Sequence, residues 1–429
     1  MRQRIAPSAL LPGMYLCGID GSWLNFPFWR TRMLLTTPDQ VRQVQAAGLR
    51  AVWIDTRRGL APARPNPDDE PAPRSNPRLP ERTPASLPPT ADPALDTRAD
   101  LPQAASRPPP PPAPPAGPPC SVAEETAHAK VLSRECMHTV RRLFEHHRET
   151  APAQCDQALA AVEQVWSSVR RNPAALISLC RIKEQGEERY MHAVAVCGLM
   201  VGLAQSLQLD AETTRHAGLA GLLHDVGRTT LPDAIAADDA ARTTAEQALF
   251  ESYPEAGAAL LRQDPLVPEA VITATAQHRE RLDGFGFPAG LSGDQIHPLA
   301  RMLALCDDYD SLTSDGAGRA GLTPAAAIQR LALAADRHYD GRLLQHFVRT
   351  VGIYPVGSLV RLRSNTLAVV CEPASRSLLQ PVVKVFFSLT SQGRVPPRRI
   401  DLAATDDAIV GRENPKAWGF EGLNDLWMV

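Results

Sequence analysis

The sequence reads as a mainly α protein: a helical bundle preceded by a small α+β module and followed by a small β appendage. Three observations carry this reading. Helical patterning with cap residues runs almost without interruption from about Ala123 to Thr350. Short apolar runs broken by turn signals fill residues 1–60. Alternating, β-branched text resumes after residue 352.

At 429 residues the chain has room for about three domains of ~150 residues each. In the N-terminal module, "GMYLCGIDGSWLNFPF" is followed by "TPDQVRQVQAAG", where Thr37 is a helix cap and Pro38 the first helical residue. From Ala61 to Pro119 the chain holds 21 of its 40 prolines and no aromatic, Val or Ile. Such a segment cannot bury enough apolar surface to offset its ordering entropy, which predicts a disordered, partly polyproline tether. Helices follow over 123–350. Ala193–Leu207 is the most apolar run, too short to span a bilayer and containing Gly198, Gly202 and Gln205, so it predicts a buried helix. Asp210 caps "AETTRHAGLAGLLHDV" and Gly227 is expected to stop it; Thr323 and Pro324 open another helix. Beyond residue 352, "SLVRLRSNTLAVV" and "PVVKVFFSL" predict strands around a Ser-Asn turn. The appendage is placed at 352–402, and the tail to residue 429 carries no assignable pattern.

A formal net charge of −2 argues against a partner made of long nucleic acid, since backbone affinity comes from clustered Lys and Arg. Any anion must be met locally. The eight cysteines are scattered with no CxxC pair, which predicts a reducing, cytoplasmic setting. "MRQRIAPSALLPGM" lacks the apolar stretch of a leader, and no membrane insertion is expected.

Chemistry concentrates in the helical region. Glu188 and His192, four apart, share a helix face. His224 and Asp225 are adjacent at a helix end, and Asp307, Asp308 and Asp310 interrupt an apolar helix. Buried carboxylates need partners, and a metal is an economical one. In "HRERLDGFGFP", His278 can bind a cation, whereas the guanidinium of Arg279 has no available lone pair and repels metal. Each signal alone is weak; their order and spacing are not.

Taken together, His, then His-Asp, then a later Asp resemble the HD phosphohydrolase superfamily, and "HRERLDGFGFPAGLSG" resembles the loop of its HD-GYP branch, HHExxDGxGYP. The resemblance covers 188 to about 350. "RIAPSALLPGMY", "DGSWLNFPF" and "AVWID" resemble a domain of unknown function that often precedes HD-GYP domains. The resemblance implies an HD-type bundle and a phosphodiesterase that opens cyclic di-GMP to the linear dinucleotide or GMP with two or three metals, commonly iron or manganese. Carried over, His192, His224, Asp225 and Asp307 match the ligands of the first metal, and Glu188 a ligand of a third. Asp225 would also bridge to the second metal, whose remaining ligand positions hold Tyr253, His278 and Arg279. Arg228 stands where the family has the Lys of HDxGK, and Phe287 replaces the Tyr of GYP. Arg228, Arg279, Asp283 and Gly284 are the candidate substrate contacts, and Asp225 with Arg228 the candidate catalytic pair. The expectation is one tightly bound divalent transition metal and a second, depleted site. Docking of diguanylate cyclase (GGDEF) domains is implied as a further partnership. The alternative is a weak or silent cyclic di-GMP receptor or adaptor.

Overall fold

A computed structural model describes residues 2–20, 33–46, 49–61, 118–148, 155–181, 187–236, 242–314, 320–374 and 377–428. The chain divides into two units, Met1–Pro109 and Pro110–Val429. Most of the expected tether, 61–119, and most of "DGSWLNFPF" lie outside the described residues.

The first unit is a small antiparallel sheet with one helix. β1 (Arg2–Ile5), β2 (Tyr15–Asp20), β3 (Met33–Leu34) and β4 (Ala51–Asp55) lie in the order β1-β4-β2-β3, with α1 (Pro38–Ala46) between β3 and β4 in sequence. Thr37 caps α1 as expected, its hydroxyl accepting from Gln40 N at 3.3 Å. In "AVWID" the two-residue period sends Val52 and Ile54 into a core with Leu10, Met14, Leu16, Leu35, Val41 and Val44, while Trp53 stays exposed.

The second unit is the helical bundle with its β appendage. α2 (Val122–Arg148), α3 (Cys155–Arg171) and α4 (Pro173–Cys180) lead into α5 (Glu188–Ser206) and α6 (Ala211–Leu223). α5 packs against α2, α3, α4, α6, α11 (Pro298–Thr313) and α13 (Gly341–Val351). A helix touched on every side must be apolar on every side, and Ala193 through Ala204 are all buried. No helix among the described residues is long and apolar enough to cross a membrane. Between α6 and α11 come α7 (Asp233–Ala236), α8 (Thr244–Glu251), α9 (Tyr253–Leu261) and α10 (Glu269–Gln277); α12 (Pro324–Leu333) follows α11. The caps at Asp210 and Thr323 form as expected, accepting from Thr213 N and Ala326 N.

Gly227 has a different role from the one expected. α6 ends at Leu223, before it, and a Cβ at 227 would stand 2.0 Å from the Tyr253 carbonyl oxygen and 2.6 Å from Gly257 N. The glycine lets the turn after α6 lie directly on α9.

The appendage is an antiparallel sheet ordered β8-β7-β6-β5-β9, from β5 (Leu359–Leu362), β6 (Thr366–Glu372), β7 (Val382–Ser388), β8 (Gly393–Asp401) and β9 (Ile409–Arg412). The Ser-Asn turn forms between β5 and β6, with Asn365 at φ 58°, a left-handed conformation that Asn tolerates. The unassigned tail therefore does contain structure. It supplies β9, which pairs with β5, then α14 (Pro415–Trp418) and α15 (Asp425–Met428), whose Trp427 is buried where α15 meets α2 and β6.

Candidate metal centre

Three helices deliver the cluster. α5 carries His192, the end of α6 carries His224 and Asp225, and α11 carries Asp307. His224 is the C-terminal cap of α6, and its Nδ1 lies 2.9 Å from the carbonyl of Gly221 one turn back. That bond places the ring proton on Nδ1 and leaves the Nε2 lone pair for the cluster. His192 is held on both nitrogens, Nδ1 2.7 Å from Asp310 Oδ2 and Nε2 3.1 Å from Asp307 Oδ1. Ligand atoms of His192, His224 and Asp307 all lie within 4.8 Å of one another. Asp225 Oδ2 is 3.7 Å from His224 Nε2.

The electrostatics match an assembly built for positive charge. Burial acts to raise the pKa of Asp225, but Arg228 foremost, then His224 and Arg279, hold the carboxyl well below the usual range. Asp307 is lowered against its burial in the same way, by Arg279 and His192. Burial depresses the pKa of His224 and keeps the ring neutral, which is the form that binds metal.

Whether a cation fits is decided by two atoms. His224 Nε2 and Asp225 Oδ1 are buried and have no hydrogen-bond partner among the described residues. Each such atom costs about 1–3 kcal/mol. Two imidazoles and two carboxylates are a suitable donor set for a divalent transition metal, and a cation held by His192, His224, Asp225 and Asp307 would satisfy both orphans. One metal fits these residues.

The expected second site does not fit. His278 caps α10 with Nδ1 2.7 Å from the Thr275 carbonyl, and its Nε2 lies 2.8 Å from the Tyr253 hydroxyl. Arg279 donates from Nε to that hydroxyl at 2.7 Å, and its Nη2 stands 3.0 Å from Asp307 Oδ2. Burial pushes the His278 pKa down to about 3, with Arg279 and His224 adding to the effect. The lone pair that a second ion needs is already used by a phenol, and a guanidinium stands beside it. His278 was expected as a ligand; here it is a hydrogen-bond acceptor 3.9 Å from Asp225 Oδ1.

The remaining candidates divide. Arg228 joins the centre, with Nε 2.9 Å from Asp225 Oδ2, Nη1 donating to the Ala236 carbonyl at 3.1 Å, and the guanidinium 5.1 Å from the centroid of the Tyr253 ring. Glu188 is exposed at the first turn of α5, outside the cluster of His192, His224 and Asp307. Asp283 is held within its own loop by Arg281 at 2.7 Å and by Phe285 N at 3.3 Å, and Gly284 takes φ +76° at the turn. Phe287, without a hydroxyl to satisfy, packs on Tyr253 and Phe250 beside Leu231 and Ile235.

Four residues escaped the sequence reading as contributors. Asp310 orients His192; the signal was its spacing of three from Asp307 on one helix. Glu280 is buried and accepts from Ala289 N at 2.7 Å and Leu291 N at 2.9 Å, pinning the loop. Gly286 permits the fold-back, because a Cβ there would lie 2.6 Å from the Arg279 carbonyl oxygen. Tyr339 donates to Asp308, which also faces Arg279 at 3.5 Å.

A family model described as an HD domain matches residues 171–343, and one described as a domain of unknown function, DUF3391, matches residues 2–177. The cyclic di-GMP phosphodiesterase PA4108 of Pseudomonas aeruginosa is 38% identical over 430 aligned residues, covering 100% of this chain and 96% of its own. The chain belongs to the HD-GYP family. More distant relatives of this HD-GYP protein include the cyclic di-GMP phosphodiesterase response regulator RpfG of Xanthomonas campestris, 27% identical over 49% of this chain and 55% of its own. A 3'3'-cGAMP-specific phosphodiesterase 2 of Vibrio cholerae is 28% identical over 34% of this chain and 27% of its own. Among solved structures, the HDG"Y"P protein Bd1817 of Bdellovibrio bacteriovorus aligns over 81% of this HD-GYP chain and 98% of its own, at 17% identity and a TM-score of 0.44. The HD match contains His192, His224, Asp225 and Asp307, so the family implies a divalent metal at the cluster just described.

Proposed function

We propose that this HD-GYP chain is a metal-dependent phosphodiesterase that hydrolyses cyclic di-GMP, with iron or manganese held by His192, His224, Asp225 and Asp307. The observation that supports a metal-dependent reading is the pair of buried, unpartnered ligand atoms, His224 Nε2 and Asp225 Oδ1, and hydrolysis over silent binding rests on the phosphodiesterase that is 38% identical across the whole chain. The substrate class rests on the relative that matches the whole chain.

A bound divalent cation supplies an acidified water and charge for the phosphoryl oxygens. The chain's residues do the rest. His192, Asp225, Arg228 and Arg279 line the open side of the centre, their side chains keeping 12%, 10%, 11% and 18% of their surface in contact with solvent. Arg228 and Arg279 would meet the non-bridging oxygens of a phosphodiester, each as a planar fork. Burial of Asp307 on one side and the packed aromatic rings of Tyr253, Phe250 and Phe287 on the other would limit competing water.

The test is product analysis on the purified full chain with cyclic di-GMP and, separately, 3'3'-cGAMP, each with manganese or ferrous iron. Conversion of cyclic di-GMP to the linear dinucleotide or GMP, lost in His224→Ala, supports the proposal. Retained nucleotide binding without conversion under either metal contradicts it. Docking of a diguanylate cyclase domain is a second reading with one observation in its favour: the pinned loop presents Phe285, 79% exposed, at its tip. Association of the full chain with an isolated GGDEF domain, compared with Phe285→Ala, tests it.

A further inference from the structure

We infer that Arg279 is a built-in cation: fixed by Tyr253 and Asp307 beside a single metal, it takes the place of a second ion and offers its guanidinium to the substrate phosphate. Proton bookkeeping carries the first half. His278 Nδ1 faces the Thr275 carbonyl at 2.7 Å and must donate to it, so Nε2 is an acceptor. Arg279 Nε can only donate, and it reaches the Tyr253 oxygen at 2.7 Å. Tyr253 therefore accepts from Arg279 and donates to His278 at 2.8 Å. One arrangement satisfies all three side chains and leaves no imidazole lone pair for a metal. An ion entering here would have to displace the phenol proton and sit against a permanent positive charge.

The network is also held in place. Tyr253 is 0% exposed, its ring packed on Phe250 and Phe287 at 5.3 and 6.5 Å between centroids, with the Arg228 guanidinium 5.1 Å from the centroid of its ring. Asp307 Oδ2 at 3.0 Å and Asp308 Oδ1 at 3.5 Å restrain the other end of Arg279. Asp307 thereby divides its carboxylate, with Oδ1 toward His192 and Oδ2 toward the guanidinium. The hydrogen bonds to Tyr253 and Asp308 occupy two of roughly five donors on a guanidinium, Asp307 Oδ2 faces Nη2 as an ion pair at 3.0 Å, and the side chain remains 18% exposed. A planar fork with donors to spare beside a metal ligand is suited to two oxygens of one phosphate.

The phosphate half rests on the phosphodiesterase reading; the ion count does not. Equilibrium dialysis of the full chain against manganese is expected to give one tightly bound ion in the native protein and one in Arg279→Gln, with none in His224→Ala. The double variant Tyr253→His with Arg279→His, which restores two imidazoles, is expected to hold two. Two ions in the native protein overturn the inference, whatever the variants do. Cyclic di-GMP affinity, read on the manganese-loaded proteins, is expected to fall about tenfold or more in Arg279→Gln, the scale of one charge-assisted phosphate contact. Native-like affinity in that variant overturns the phosphate role even if the count is one. A count of one with no cyclic di-GMP binding by the native chain overturns the assigned substrate and leaves the built-in cation standing.

Discussion

Asp310 Oδ2 stands 2.7 Å from His192 Nδ1, and this contact aims the opposite ring nitrogen at Asp307. A carboxylate behind a ligating imidazole fixes its tautomer and orientation. Asp310→Ala is therefore expected to weaken metal affinity by about 10–100-fold, measured by competition with a chelating dye, while the fold persists. Unchanged affinity would show that the bond is incidental.

The contact of the turn after α6 with α9 predicts intolerance at Gly227. A methyl group there meets backbone at 2.0 Å, and backbone cannot rotate away as a side chain can. Gly227→Ala is expected to lose about 3 kcal/mol of stability, at the upper end of overpacking costs, in a chemical denaturation series. A loss under about 0.5 kcal/mol, the range of an ordinary surface change, would contradict the close approach.

Removing the phenol oxygen strands two groups at once. In Tyr253→Phe, His278 Nε2 loses its donor and Arg279 Nε its acceptor in a buried setting. The expected cost is about 1–3 kcal/mol, read from the same denaturation experiment. Little or no cost would mean that water replaces the hydroxyl easily, and that the site is wetter than its burial indicates.

The pH dependence of stability follows from His278. Its folded pKa is pushed down to about 3 by burial, with Arg279 and His224 adding to the effect, against about 6.5 in an unfolded chain. Between those values the unfolded state binds the extra proton, so stability is full above about pH 6.5 and is lost progressively as the pH falls toward 3. His224, also lowered by burial, acts in the same direction. Denaturation midpoints from pH 7 to pH 4 in chelator are expected to fall less steeply for His278→Gln than for the native chain. Parallel profiles would assign the loss to other groups.

What could be seen in the sequence was what depends on neighbours along the chain. Thr37, Asp210 and Thr323 cap helices because each side chain meets a backbone amide only a few residues away. The helical placement of His192 and Asp307 and the helix-end placement of His224 and Asp225 followed for the same reason. Partners distant in sequence stayed hidden. Gly227 looks like a helix stop until Gly257 is seen beside it. β9 pairs with β5, nearly fifty residues earlier, so no hairpin turn announces it. His278 reads as a ligand, and nothing near it in the sequence announces the Tyr253 hydroxyl that lies 2.8 Å from its Nε2. Asp308 and Asp310 are indistinguishable from Asp307 by composition; the helix rotates one toward Arg279, one toward His192 and one toward both.

The most direct measurement is hydrolysis of cyclic di-GMP by the chelator-stripped full chain as manganese or ferrous iron is added back in known equivalents. The expected result is no cleavage without metal, a linear rise, and a plateau at one equivalent per chain, with no rise in Asp225→Ala. Cleavage that persists in chelator, or that begins only once a second equivalent has been added, would contradict a phosphodiesterase centred on one ion held by His192, His224, Asp225 and Asp307.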